Sequence, residues 1–229
     1  MTALDDLRAV RASDLRTKRE ILRVFLAHWS PRVILIAAAV TVIARLTVWS
    51  VSRGDLVVLA AVVVFTGPLE WFIHKFALHT DPDAWTTRKL GLGVGHRNHH
   101  VDPPALDNLL LAGPDAAIFC VVLGVTTTVW ALPLLWLTGS PIGVSMLTAL
   151  ALTYVAFANY EWTHLMVHTR YRPRTRFYAR LARNHRLHHY RNEDYWLGVT
   201  SNLGDRLLGT LPRSKTDVPL SETARNLDG

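Results

Sequence analysis

Cysteine is almost absent from these 229 residues: the only one, Cys120, lies in an apolar run far from the histidines, so no thiolate set exists to build a structural zinc site. Acidic side chains are scarce as well, 18 against 25 Lys and Arg, which leaves a net charge of +7 and a pI near 10.0. So basic a chain invites a nucleic-acid reading, but no recognised nucleic-acid-binding motif accompanies the charge and that class is set aside. A cleaved signal peptide is excluded too, because the first long apolar run begins only after thirty-two mostly polar residues.

What the chain has in excess is histidine. Ten of its eleven histidines fall in two stretches, Glu70–His100 (EWFIHKFALHTDPDAWTTRKLGLGVGHRNHH) and Glu161–His189 (EWTHLMVHTRYRPRTRFYARLARNHRLHH). His28 stands apart and reads as an ordinary satisfied residue. The pairs His79/His168, His96/His185, His99/His188 and His100/His189 are each 89 residues apart, so the stretches are copies of one unit. Burying this many imidazoles without partners would cost about 1–3 kcal/mol apiece. Metal ligation removes that cost.

The spacings suit it. Residues three and four apart share a helix face, so His164 with His168, His96 with His99 and His100, and His185 with His188 and His189 each form a set able to grip one ion. His74 and His79, five apart, need a helix end, a π-bulge or two different metals. Ten neutral nitrogen donors exceed what one ion takes, which implies two metals, and imidazole suits Fe, Zn, Cu and Ni alike. Glu70, Asp102, Glu161, Asn184, Glu193, Asp194 and Asp205 are candidates to orient the ligating rings from an outer shell.

Half of the residues are hydrophobic and mean hydropathy is +0.17. Four apolar runs, 33–51, 56–73, 116–137 and 142–160, approach or reach the ~17–25 residues of a membrane-spanning helix. Lys and Arg number 7 before Val33, 4 between His74 and Ala116 and 12 after Tyr160, whereas the two intervening loops hold only Arg53. By the positive-inside rule, both termini and both histidine clusters face the cytoplasm. Anionic lipid headgroups are the natural partner of the excess positive charge.

The expected architecture is all-α: an integral membrane protein with four transmembrane helices in two hairpins and a cytoplasmic helical cap holding the histidines. Residues 1–32 form a cytoplasmic or interfacial segment whose helix is capped by Ser13 or Asp14. Residues 33–211 form the membrane domain. Arg45 in the first span must snorkel or pair. Residues 80–95 make a loop with at most a short helix, and 212–229 a disordered tail.

The boxes His74-x4-His79, His96-x2-His99-His100, His164-x3-His168 and His185-x2-His188-His189, with the later Gly-Val-Thr-Ser and Asp-Arg-Leu-Leu-Gly-Thr segments, resemble the fatty acid hydroxylase/sterol desaturase superfamily over about residues 60–211. The resemblance implies a non-haem di-iron oxygenase that uses O2 and electrons to hydroxylate or desaturate a lipid C–H bond, on a fatty acid or sterol-like substrate. It implies all ten box histidines as metal ligands to two Fe ions, with Zn able to substitute, and no further catalytic residue. Some relatives carry a fused cytochrome b5 domain, but no His-Pro-Gly-Gly stretch occurs here, so a separate ferredoxin or cytochrome b5-like donor is expected. Carotenoid hydroxylases of the superfamily show a wider third box, His-x4-His, where this chain has His164-x3-His168, so the fatty acid or sterol branch is favoured and carotenoid hydroxylation is the alternative. A membrane zinc hydrolase with Glu70 or Glu161 as base is more distant.

Overall fold

The computed structural model describes residues 10–111 and 114–222, and among them there is no strand. Its helices are α1 (Lys18–Ala27), α2 (Trp29–Thr47), α3 (Arg53–Ile73), α4 (Trp85–Leu90), α5 (Val94–Val101), α6 (Leu106–Leu109), α7 (Asp115–Leu137), α8 (Ile142–Val167), α9 (Arg176–Tyr190) and α10 (Leu203–Leu208). Four are long and apolar enough to cross a bilayer: α2, α3 with its continuation to Leu78, α7 and α8. All four expected runs fall on these helices: the first lies four residues too far along the chain, the third matches within a residue, and the second and fourth are cut short. The second span continues to Leu78 as a π turn, and the fourth runs on to Val167 because no Gly or Pro interrupts Glu161–Val167. Helix α8 thus carries His164 itself.

The chain divides into two compact units. One comprises 28–66 and 111–162, the apolar parts of the four spans. Its core is Val58, Ala131, Leu135 and Ala149, and α2 packs on α7. Large side chains such as Ile36, Val40, Phe65, Val121 and Val129 point outward, where a soluble protein would place polar ones. Gly54 is required by packing: a Cβ there would lie 2.4 Å from Ser145 Oγ and 2.8 Å from Ser140 Cβ.

Arg45 resolves its cost by pairing. Its guanidinium donates to Thr148 Oγ1 (2.7 Å), the carbonyls of Val48 (2.8 Å) and Ser50 (2.7 Å), and Asp55 Oδ2 (3.2 Å). Asp55 also accepts from the Ser52 N–H at 2.7 Å and from the Thr148 hydroxyl. Both charges are largely buried, 17% and 8% exposed, so deleting one strands the other. Asp55→Ala is expected to destabilise the protein by about 3–5 kcal/mol, and Arg45→Leu/Asp55→Leu by much less. Thermal unfolding in detergent measures both; equal losses would refute the pairing.

The second unit comprises 1–27, 67–110 and 163–229 and contains all ten clustered histidines. Its N-terminal strip is stitched down: the Ala12 N–H donates to Pro104 O (2.8 Å), the Arg170 N–H to Leu15 O (2.9 Å), and Arg11 pairs with Asp102. Asp14 accepts the Arg11 N–H within a 3-10 turn, so neither it nor Ser13 caps α1 as expected. That role falls to Thr17, whose Oγ1 accepts the Glu20 N–H, while the Glu20 carboxylate accepts the Arg16 and Thr17 N–H groups. Helix α4 is the short helix foreseen within residues 80–95.

The expected disordered tail is corrected as far as Glu222. Val218 is buried against Leu187 and Trp196, and its carbonyl accepts from the Arg191 guanidinium at 2.8 Å. Asn192 donates to Pro219 O at 3.2 Å. One buried valine and carbonyls matched to Arg191 and Asn192 suffice to anchor a polar segment. Residues 1–9 and 223–229, parts of the expected terminal segments, lie outside the described residues.

Candidate metal centre

Each histidine is positioned by a helix or its end. The π turn His74–Leu78 closes with the His79 N–H donating to His74 O at 3.1 Å. The extra residue in that turn brings two side chains five apart onto one face, so the π-bulge is the alternative realised. Helix α5, packed against this turn, carries His96, His99 and His100; α9, capped by Thr175, carries His185, His188 and His189. His164 lies in the last turn of α8, and His168 follows immediately, its N–H donating to Leu165 O at 3.2 Å.

The ten rings form two groups of five, His74, His79, His96, His100 and His188 in one and His99, His164, His168, His185 and His189 in the other. Within each, one nitrogen per residue lies within 4.8 Å of all the others. The box-by-box reading is thereby corrected. In each His-x-x-His-His the residues four apart stay together, while the middle one, His99 or His188, joins the other group. On a helix, a step of three advances about 300° and a step of four about 400°, so the two lean to opposite sides of the starting residue. The 89-residue offset maps His79, His96, His100 and His188 onto His168, His185, His189 and His99, so the groups are related as the sequence copies are.

The donor atoms face one another. In the first group Nε2–Nε2 distances are 3.0 Å (His74–His96), 3.1 Å (His79–His96), 3.2 Å (His96–His100), 3.2 Å (His100–His188) and 3.3 Å (His79–His188). In the second they are 2.8 Å (His168–His185) and 3.1 Å (His185–His189). Hydrogen bonds cannot account for this, since a neutral imidazole has one N–H and His96 Nε2 meets three partners. His74 and His188 settle their tautomers: each donates Nδ1–H to a carbonyl, Leu197 O and Tyr195 O (2.9 Å for the latter). Their Nε2 lone pairs therefore point inward at other nitrogens, an arrangement that a cation satisfies. An ion with metal–nitrogen bonds of about 2.1 Å separates neighbouring nitrogens by about 3.0–3.4 Å. The residues fit such an ion.

Burial keeps these imidazoles neutral. Desolvation, helped by the neighbouring rings, pulls His96, His99, His168, His185, His188 and His189 well below the ordinary histidine range. Desolvation also brings His79 down to about 4 and His100 to about 3. Unfolded imidazoles titrate near 6.5, so between that pH and the folded values the unfolded state binds more protons. Stability is therefore present above about pH 6.5 and lost as pH falls, by about 1.4 kcal/mol per pH unit for each such histidine. The thermal midpoint of metal-free protein should drop steeply from pH 6.5 to pH 4. A midpoint flat across that window would contradict neutral burial.

The hydrogen bonds of the proposed outer-shell acids go mainly to the backbone and to other side chains, while Glu193 and Asp194 act on His79 through their charge. Glu70 accepts the Val199 and Thr200 N–H groups and the Thr200 hydroxyl; Asp205 accepts the N–H groups of Leu197 (2.9 Å) and Gly198 (2.8 Å) and the Thr210 hydroxyl (2.6 Å). Burial raises the Asp205 carboxyl against the pull of these donors. Asp102 pairs with Arg11, Asp194 with Lys75; Glu193 accepts from Ser221; Asn184 donates to Asn202; Glu161, buried, accepts from the backbone of Leu111. What meets the rings is backbone: the carbonyls of Tyr195 and Leu197, on a loop held by Glu70 and Asp205. Side-chain types do not announce such carbonyls, although Gly198 between two polar stops marks the loop.

The profile of the fatty acid hydroxylase family matches residues 56–210. Among curated proteins, the dihydroceramide fatty acyl 2-hydroxylase FAH2 of Arabidopsis thaliana is 29% identical over 148 residues, 64% of this chain and 57% of FAH2. FAH1 of the same plant, also a dihydroceramide fatty acyl 2-hydroxylase, is 27% identical over 191 residues, 82% of this chain and 74% of its own length. Among solved structures, the hydroxylase domain seen in full-length scs7p superposes with a TM-score of 0.63 at 21% identity, covering 84% of this chain and 68% of that one. This last likeness bears on the fold alone.

Proposed function

Because the chain belongs to the fatty acid hydroxylase family, we propose that it is a membrane-bound, O2-dependent hydroxylase acting on the acyl chain of a lipid, with two iron ions held by its ten clustered histidines. The observation that carries this reading is the pair of five-histidine groups, with the Nε2 lone pairs of His74 and His188 turned toward other ring nitrogens. The names of FAH1 and FAH2 favour a sphingolipid-type acyl chain and the carbon next to its carbonyl. The proposal also takes the membrane domain as residues 33–211, with termini and histidines on the cytoplasmic side, following the charge asymmetry.

Bound iron would supply the one-electron chemistry with O2 that an unactivated C–H bond demands. The chain's own contributions are distinct from it. Neutral imidazoles present lone pairs at working pH without a prior deprotonation. Six of the ten histidines are buried and the other four partly so, which limits the water that reaches the site. The apolar spans offer a lipid a route along the hydrocarbon phase, and electrons arrive from a separate donor protein of the ferredoxin or cytochrome b5 kind.

Protein in nanodiscs, supplied with a fatty acyl ceramide, a chemical reductant and 18O2, should yield a hydroxy-acyl product bearing one 18O atom. Label entering from water, or acyl-bond cleavage without O2, would overturn the reading in favour of hydrolysis.

A further inference from the structure

The two histidine groups are copies in sequence but differ in what stands behind two equivalent rings, His188 and His99. At His74 and His188, both in the first group, the outer ring nitrogen donates to a carbonyl of the segment 195–197. The 89-residue offset places Leu106 and Asn108 where Tyr195 and Leu197 stand. There the chain is helix α6, and Leu106 O accepts the Leu110 N–H at 3.0 Å. His99, the counterpart of His188, has neither ring nitrogen hydrogen-bonded among the described residues.

The segment that makes the difference is tightly determined. Trp196, fully buried, adopts φ 54°, a left-handed conformation that a bulky residue takes only under constraint. Its N–H donates to Thr210 O at 2.9 Å, and the Trp71 indole donates to Thr210 Oγ1 at 2.7 Å. The reversal at Trp196 lets the carbonyls on either side serve the same group. Asp205 then pins the next two N–H groups and Glu70 the two after those. Four consecutive N–H groups held by two carboxylates leave this loop little freedom.

We propose that the 195–200 loop makes the two metal sites unequal: the His74/His79/His96/His100/His188 site binds its ion more tightly, with Asp205 as a positioning residue acting through the Leu197 and Tyr195 carbonyls. A donated Nδ1–H fixes the tautomer and ring orientation and raises the basicity of Nε2, and loss of such support costs about 10–100-fold in metal affinity. The inference rests on the metal-centre reading, but not on hydroxylation.

The test uses the full chain in detergent, anaerobically, with Co(II) as probe, following d–d absorption against a competing chelator and counting ions by native mass spectrometry. The parent should bind in two steps, about 10–100-fold apart. His168→Ala should remove the weaker step, and His79→Ala, its counterpart in the repeat, the tighter. Adding Asp205→Asn should weaken the remaining site at least tenfold in the His168→Ala background and leave it within about twofold in the His79→Ala background. General unfolding would weaken both alike. Equal steps in the parent, or an Asp205→Asn effect of the same size in both backgrounds, would overturn the inequality; no Co(II) bound at all would overturn the metal-centre reading with it.

Discussion

Turnover is expected to fall to background when His189 is replaced by alanine, with membrane insertion unchanged. His189 Nε2 lies 3.1 Å from His185 Nε2, and its ring stacks on His100 at 4.1 Å between centroids. The substitution removes one of five donors from its group and frees a ring of the other group from its stacking partner. An ion held by the remaining four nitrogens would be both weaker and displaced, and affinity losses of at least about 10–100-fold accompany even milder, outer-shell changes. His100→Ala should be equally severe although it strikes the other group. Membrane fractionation and product analysis measure the two effects separately. Retained turnover in both variants would sink the ligand assignment.

Gly198→Ala should come close to this in effect without touching any of the ten clustered histidines. A Cβ at Gly198 would lie 2.0 Å from Ser201 O and 2.9 Å from Asp205 Oδ2, one of them backbone and the other already accepting the Gly198 N–H. Neither can yield by rotating a flexible side chain, so the loop must shift and take the Tyr195 and Leu197 carbonyls from His188 and His74. The stability cost is about 1–3 kcal/mol, as for other overpacked positions. The larger consequence is weaker metal retention by one group and a loss of turnover of about a hundredfold. Gly143→Ala, where an added Cβ meets nothing within 4 Å, is the control and should leave both unchanged. Iron content and turnover of the two variants, side by side, measure this.

Much of this arrangement was legible in the sequence because it follows from composition and period. Spans of apolar residues and a doubled His-x-x-His-His are local signals, and both correspond to helices in the structure. The partition of the histidines was not legible. Helical spacing says that His96, His99 and His100 share a face, but which of two neighbouring centres each ring joins depends on how α5 and α9 pack. His74 and His79 show the same limit: their spacing left a helix end, a π-bulge or two different metals open, and the π turn is the one the fold adopts. The roles of Glu70 and Asp205 were not legible for a different reason. Both were candidates to orient the rings directly, but they hold backbone N–H groups, and the backbone of the same loop meets His74 and His188. Val218 was overlooked because a single apolar residue in a polar tail carries no period.

The central claim is the grouping of the ten histidines into two centres that cut across the sequence boxes. It is tested most directly by counting iron per chain after anaerobic Fe(II) reconstitution of two triple variants. His96→Ala/His100→Ala/His188→Ala empties one group and leaves the other whole; His185→Ala/His188→Ala/His189→Ala removes one box and damages both groups. The account predicts about one iron in the first variant and less than one in the second, against about two in the parent. One iron retained by the box variant and none by the group variant would contradict it.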